Sequence, residues 1–308
     1  MNTYLKYQPP AIQFLSFLML AAGFFFIDFL IASYFFKDLY ALLQDKTAAI
    51  PSHFTARFKW GQVLTSTVSF IIPAFLFGYF SSPRALPYIG VQKTVSPVLL
   101  FASVLLLFCV QPFVGWLGEI NGRMNFGEMQ KVLLEKEAIY NRVFKVFLQM
   151  NSVGDLLLNL LIMALLPAIG EEVFFRGALQ KALHRLSNNP WVAIIVTSAV
   201  FGLLHGTFFK LLPIFTLGLL LSTVYHVTRN LWYTIIIHFV NNAFAVFAVY
   251  YANSSEIMKK LSNDDISVSV FVAAASMLIS LGIIYFIKKK SDEVLPEIVT
   301  NEDNDYIA

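Results

Sequence analysis

Two adjacent carboxylates and one guanidinium occur beside a segment apolar enough to enter a bilayer: residues 171–176 read Glu-Glu-Val-Phe-Phe-Arg and follow the apolar run 156–166. A charge at the centre of a membrane helix costs about 2.5–3.5 kcal/mol, so such charges are usually paired, line a wet cavity or take part in chemistry. Glu172 and Arg176 are four residues apart and can pair on one helix face, whereas Glu171 points about 100° away. Alternatively, the three charges mark a helix end at the level of the lipid headgroups.

Two histidines add to this polar set because they lie within later apolar segments. His205 lies in the run 200–206, and His238 lies in 235–242 four residues before Asn242, so that the last two share a helix face. Together with Glu171, these side chains could hold a water molecule or a metal ion. A carboxylate in a low-dielectric site is a stronger base, and histidines with an amide can hold the water and stabilise an oxyanion.

The composition of the chain indicates that these residues belong to an integral membrane protein. Of 308 residues, 57% are hydrophobic, 16% aromatic and only 13% charged, where a soluble domain carries about 25% charged residues. Long apolar runs indicate helices, because a β-barrel would show short alternating segments. Cys109 is the single cysteine, which excludes a disulfide within the chain, and no basic cluster suggests nucleic-acid binding.

A membrane-spanning helix needs about 20 mostly apolar residues, and eight segments meet or approach this length. The fourth of them is short unless its helix continues through the Glu-Glu motif. The sequence therefore predicts an all-α, polytopic membrane protein with about eight transmembrane helices. The predicted spans are 12–36, 61–80, 97–117, 155–169, 191–209, 211–227, 231–251 and 268–287.

The remaining segments divide the chain. We predict three spans and an amphipathic helix in 1–150, a catalytic core in 151–290 and an acidic disordered tail in 291–308, all within one membrane domain. The amphipathic part, 118–150, would lie on the membrane or over the helix bundle, although its first half could equally be a solvated loop. Residues 37–60 read as a polar loop. The basic triplet 288–290 favours a cytoplasmic C-terminus.

Three motifs stand in order along the chain: Glu-Glu-x-x-x-Arg at 171–176, Phe-x-x-x-His at 201–205 and His-x-x-x-Asn at 238–242. Each is weak alone, but together they resemble the CPBP family, the CAAX protease and bacteriocin-processing (Abi) intramembrane proteases. Type II CAAX prenyl endopeptidase is the best-known member of that family. The resemblance covers about 155–251.

The resemblance implies an eight-helix intramembrane peptidase. It implies that Glu171 activates a water, that His205, His238 and Asn242 complete the catalytic site, and that Glu172 and Arg176 form a supporting pair. The family has been described both as metal-dependent and as glutamate-dependent. Glu171, His205 and His238 match the ligand count of a catalytic zinc site, but the chain has no His-Glu-x-x-His motif. We favour glutamate-activated water, with a divalent metal such as zinc as the alternative.

The leading hypothesis is an endopeptidase that cuts a membrane-embedded or lipidated protein near the surface of a bacterial cytoplasmic (inner) membrane. Its expected partners are a membrane protein or peptide substrate and membrane lipid, with no nucleic acid; the sequence leaves the oligomeric state open. The first alternative is a non-catalytic bacteriocin-immunity or scaffold protein of the same fold. The second is a transporter, although the chain lacks the paired interrupted helices of inverted-repeat transporters.

Overall fold

The computed structural model describes residues 4–37, 52–252, 254–262 and 267–299, and throughout these ranges the regular structure is helical. Short helical turns at Tyr4–Tyr7, Ala85–Tyr88, Gly127–Met129 and Phe208–Lys210 join the main elements. The main helices are α1 (Pro10–Phe35), α2 (Ser52–Ser81), α3 (Pro97–Gly122), α4 (Gln130–Phe147), α5 (Val153–Ser187), α6 (Pro190–Leu204), α7 (Leu211–Thr228), α8 (Leu231–Tyr251), α9 (Glu256–Ser262) and α10 (Val270–Val299).

Within the described ranges, seven helices are long and apolar enough to cross a membrane: α1, α2, α3, α5, α7, α8 and α10. The predicted all-α, polytopic membrane architecture is therefore confirmed. The predicted fifth span, 191–209, was too long, because α6 ends at Leu204 and is a shorter apolar helix. Gly206 then takes a φ of 70°, a left-handed conformation that favours glycine, and the chain turns into Phe208–Lys210.

Helix α5 runs without a break through the Glu-Glu motif, so the fourth span has full length. A π-helical turn at Leu160–Leu165 comes just before Pro167, and α2 repeats the arrangement with Ser66–Ile71 before Pro73. Proline lacks the N–H that an α-helical turn needs and clashes with the preceding turn, and a π-helical turn accommodates this locally. The irregular turn of α2 packs against α5 just before the Glu-Glu motif, since a Cβ on Gly170 would lie 3.2 Å from the backbone oxygen of Ser66.

The two phenylalanines of the motif anchor α5 in the bundle. Phe174 contacts Phe17 of α1 and Phe70 of α2, with ring centroids 5.2 and 5.4 Å apart, while Phe175 contacts Phe201 of α6 at 5.1 Å. Tilted and edge-to-face pairs of this kind add about 0.5–1.5 kcal/mol beyond the area they bury. The rotation of the motif is therefore set by packing in the core.

Pro112 opens the hydrogen-bond ladder of α3, and a side chain from α10 fills the gap. The Phe113 N–H donates to Ser276 Oγ at 3.2 Å, and the Ser276 hydroxyl donates to the Cys109 carbonyl at 2.6 Å. The serine thus bonds both backbone groups, which a regular turn would have paired with each other. This insertion joins the third span to the last one.

Three predictions about the connecting segments need correction or refinement. The predicted polar loop is too long, because α2 begins at Ser52; residues 38–51 lie outside the described residues. The predicted disordered tail begins too early, because α10 continues to Val299; residues 300–308 are outside the described part of the chain. Helix α4 is amphipathic and packs over the bundle, where Val146 is buried against Phe54 and Phe58 of α2.

Candidate active site

The four predicted catalytic side chains line one cavity of about 450 Å³. Glu171 comes from the middle of α5, His205 from the residue after the last turn of α6, and His238 and Asn242 from one face of α8. The sequence predicted His205 within a helix, whereas it caps the helix end next to the turn at Gly206. The three motifs, which are far apart in sequence, therefore meet at one place.

Glu172 lies behind this cavity in a fully buried network. Its Oε1 accepts a hydrogen bond from Arg176 Nη1 at 2.7 Å and one from His238 Nδ1 at 2.9 Å. Arg176 Nη2 also donates to the carbonyl of Gly218 in α7 at 3.1 Å. Both charged side chains are 0% exposed, so each compensates the charge of the other where water cannot.

Glu171 is the carboxylate that faces the cavity, with its side chain 15% exposed. Its Oε2 lies 3.8 Å from His238 Nε2, which is too long for a hydrogen bond. The 100° rotation between successive helical residues thus separates the two glutamates: Glu172 binds the far side of the His238 ring, and Glu171 faces its near side.

The hydrogen bonds also define the tautomers of the two histidines. A carbonyl oxygen can only accept, so His205 Nδ1, which lies 2.7 Å from the Phe201 carbonyl, carries the proton that it donates. His238 Nδ1 likewise donates to the carboxylate of Glu172 at 2.9 Å. In a neutral ring with this tautomer, Nε2 is an acceptor.

The ring of Phe201 contacts both histidines. Its centroid is 4.6 Å from that of His205 and 6.0 Å from that of His238, and the guanidinium carbon of Arg176 lies 4.7 Å from it. Over the described residues, no three His, Cys, Asp or Glu side chains are grouped to hold a metal ion.

Helix α4 and the Phe208–Lys210 turn contribute polar side chains to the wall of the cavity. Tyr140 and Lys210 both line it. Burial raises the pKa of Tyr140, the charge of Lys210 opposes this shift, and Glu137 and Glu171 reinforce it. The phenol is therefore protonated at neutral pH and can donate a hydrogen bond. Burial also raises the pKa of Glu137, against the opposing charge of Lys210.

Sequence reasoning missed several residues at or behind the site, namely Tyr140, Lys210, Asn241 and Gln111. Tyr140 lies in the segment predicted as an amphipathic connection, and Lys210 lies between the fifth and sixth predicted spans, so no local pattern indicated a site. Asn241 carried a signal, since it precedes Asn242 in an otherwise apolar helix. Gln111 is a polar residue of the third span beside Pro112, and this isolated amide could have been found by the same reasoning.

The fold and the site define a class: a polytopic helical membrane protein with a carboxylate and two histidines around an internal cavity. Residues 153–244 match the family model described as Type II CAAX prenyl endopeptidase Rce1-like. This match confirms, over those residues, the resemblance inferred from the three motifs. No curated protein and no solved structure matches the chain.

Proposed function

We propose that the protein is an intramembrane endopeptidase in which Glu171 activates a water molecule for attack on a peptide bond. The observation that carries this proposal is that Glu171 Oε2 is buried without a hydrogen-bond partner among the described residues, 3.8 Å from His238 Nε2. A water oxygen at roughly 2.8 Å from each atom could donate one proton to each of them. The oxygen would then keep a lone pair directed away from the protein, towards a substrate carbonyl.

The reaction follows from these roles. The water oxygen bonds to the carbonyl carbon while Glu171 takes its proton as general base. The carbonyl oxygen becomes an oxyanion, which the carboxamide of Asn242 stabilises by donating a hydrogen bond. When the carbon–nitrogen bond breaks, Glu171 returns the proton to the leaving amine. His238 holds the water in place, and Glu172 holds His238.

His205 completes the proposed site from the end of α6. Its Nδ1–H is engaged by the Phe201 carbonyl at 2.7 Å, so its Nε2 is the atom that remains to accept a hydrogen bond from the water or the substrate. We assign His205 to orienting the substrate or the water.

The cavity favours a substrate with an apolar segment. Apart from the polar site, its wall consists mainly of aliphatic and aromatic side chains from α3, α4, α7 and α8, of which α3, α7 and α8 are long and apolar enough to cross a membrane. A membrane-embedded or lipidated peptide would bury its apolar part there. The aliphatic lining residues include Leu107, Leu217, Leu220, Leu221, Ile237 and Val246. We expect the protein to reside in a bacterial cytoplasmic membrane.

The direct test compares host membranes that carry the wild-type protein with membranes that carry Glu171→Ala, with mass spectrometry of new protein termini as the readout. Termini that depend on Glu171 would identify a protease, its substrate and its cut site together. Identical termini at equal protein levels would contradict the endopeptidase and favour a binding protein of the same fold, such as an immunity or scaffold protein.

A further inference from the structure

Three amide side chains form a connected series that ends at the proposed oxyanion donor. Gln111 Nε2 of α3 donates to Asn241 Oδ1 of α8 at 3.2 Å, and Asn241 Nδ2 in turn lies 3.5 Å from Asn242 Oδ1. Asn241 and Asn242 line the cavity, whereas Gln111 stands behind them in the neighbouring helix. All three side chains are half-buried.

The series has one consistent direction. Because Gln111 donates to Oδ1 of Asn241, the Asn241 amide group is turned so that its Nδ2 faces Asn242. A donor there selects Oδ1 of Asn242 as its acceptor, and the Nδ2 group of Asn242 is left to donate elsewhere. A carboxamide can turn over at little intrinsic cost, so only its neighbours decide which end faces a substrate.

The irregular turn of α3 at Pro112 positions Gln111 so that its side chain can bond to Asn241. It lies in the turn that Pro112 opens, between Cys109 and Phe113, whose backbone groups are bonded by Ser276. This insertion satisfies the opened turn without using the side chain of Gln111, which is left to reach α8. The position of Gln111 is thus set by α3 and α10, whereas its side chain bonds to α8.

We propose that Gln111 and Asn241 are positioning residues, which hold the Asn242 carboxamide with Oδ1 occupied and Nδ2 presented to the cavity as a hydrogen-bond donor. This inference rests on the proposed function, because it assigns the orientation of the group that would stabilise the oxyanion.

The test is a double-mutant cycle on cleavage of the substrate found in the membrane comparison. Gln111→Leu removes the amide at similar size and should lower kcat up to about 100-fold with KM unchanged, since misplacing one group can have that effect. In an Asn242→Ala background the same change should produce no further loss, because Gln111 acts through Asn242. A full additional loss in that background, or a wild-type kcat in Gln111→Leu, overturns the proposal.

A second variant separates polarity from packing. Gln111→Glu keeps the shape but replaces the donor with an acceptor, so Asn241 would turn over and present Oδ1 to Asn242. The Asn242 amide would then have to donate to Asn241, and kcat should fall at least as far as in Gln111→Leu. Gln13→Leu is the matched control: that buried glutamine of α1 donates to the Gln8 carbonyl at 2.8 Å, within the N-terminal segment, and its loss should leave kcat unchanged.

Thermal unfolding in detergent tests the hydrogen bond itself, even if no substrate is cleaved. The cycle compares Gln111→Leu, Asn241→Leu and the double variant. The fall in Tm of the double variant should be smaller than the sum of the falls in the two single variants, because either change alone breaks the same bond. Additive shifts overturn the proposed series. A wild-type protein that cleaves nothing would instead contradict the proposed function, while the unfolding cycle still decides the bond.

Discussion

Glu171 and Glu172 are neighbours in sequence but differ in exposure and in surroundings. Glu172 is 0% exposed and its Oε1 accepts hydrogen bonds from Arg176 and His238, whereas the side chain of Glu171 is 15% exposed and lines the cavity. A carboxylate closed off from water and bound by two donors is a poor base, and one that faces a cavity can accept a proton. This difference supports the proposed role of Glu171, rather than Glu172, as the base.

The first prediction at this scale concerns Glu171. Glu171→Gln keeps the shape of the side chain but removes the base, so cleavage should fall by about 10²–10⁴-fold. Because Glu171 Oε2 has no hydrogen-bond partner in the described residues, the thermal unfolding temperature should change little. The rate is measured on the substrate from the membrane comparison, and an active Glu171→Gln protein would exclude Glu171 as the base.

Arg176→Ala should affect folding as well as catalysis. The change leaves Glu172 as a buried charge without its guanidinium and should destabilise the protein by about 3–5 kcal/mol. The matched control is Arg123→Ala, which removes a pair of the same spacing with Glu119; Arg123 is 80% exposed, so its loss should cost less than about 1 kcal/mol. Equal unfolding temperatures for the two variants would contradict the pairing role of Arg176.

Removal of divalent metal tests the alternative mechanism. Glu171 Oε2 and His238 Nε2 lie 3.8 Å apart, but over the described residues no three His, Cys, Asp or Glu side chains are grouped to hold a metal ion. We therefore expect cleavage to persist after incubation with EDTA or 1,10-phenanthroline. Activity that disappears with chelator and returns on addition of zinc would favour the metal-dependent reading of the family resemblance.

At the scale of the element, α5 depends on close approach to its neighbours. A Cβ at Gly177, directly after Arg176, would lie 2.6 Å from the backbone oxygen of Ile89 and 3.3 Å from Leu231 Cδ1. Backbone cannot move aside as a flexible side chain can, so α5 would have to shift, and the motif would shift with it. Residues Val173–Gln180 also form an irregular π-helical turn, and packing against the neighbouring helices stabilises this turn.

Gly177→Ala should therefore lower both stability and kcat. Overpacking of this kind costs about 1–3 kcal/mol, and displacement of Glu171 and Glu172 would reduce catalysis. Gly282→Ala in α10 is the matched control, since a Cβ there meets nothing within 4 Å. Alanine favours a helix over glycine, so this control should be at least as stable as the wild type in thermal unfolding.

At the scale of the whole molecule, the site belongs to both parts of the chain that the sequence divided at residue 150. The family model matches residues 153–244, but Leu107 of α3 and Tyr140 and Phe144 of α4 line the same cavity as Glu171. Phe17 and Phe77 belong to the same buried cluster as Phe174. The matched part therefore needs the preceding spans for both its cavity and its core.

A split chain tests this dependence. A fragment of residues 151–308 expressed alone should be inactive, because it lacks one wall of the cavity and part of the aromatic cluster. Co-expression with a fragment of residues 1–150 should restore cleavage, since the cut falls between α4 and α5. Full activity of the fragment 151–308 alone would show that the first three spans are dispensable for catalysis.

Sequence alone determined much about this protein because local chemistry carries the signal. Long apolar runs specify membrane helices, and polar residues inside them are costly enough to stand out, which is why Glu171, Glu172, Arg176, His238 and Asn242 could be selected without a structure. The spacing of four residues also predicted the Glu172–Arg176 pair, which the structure contains at 2.7 Å.

Tertiary structure decided what depends on contacts between distant segments. The pairing of Glu172 with His238 joins residues 66 positions apart, and the bond from Gln111 to Asn241 joins residues 130 apart, so no local pattern contains either one. The end of α6 at Leu204 depends on the turn at Gly206, and the wall formed by Tyr140 depends on where an amphipathic helix docks. The sequence identifies polar side chains that are costly to place in a membrane without a partner, and the packing of the helices determines which of these side chains contact one another.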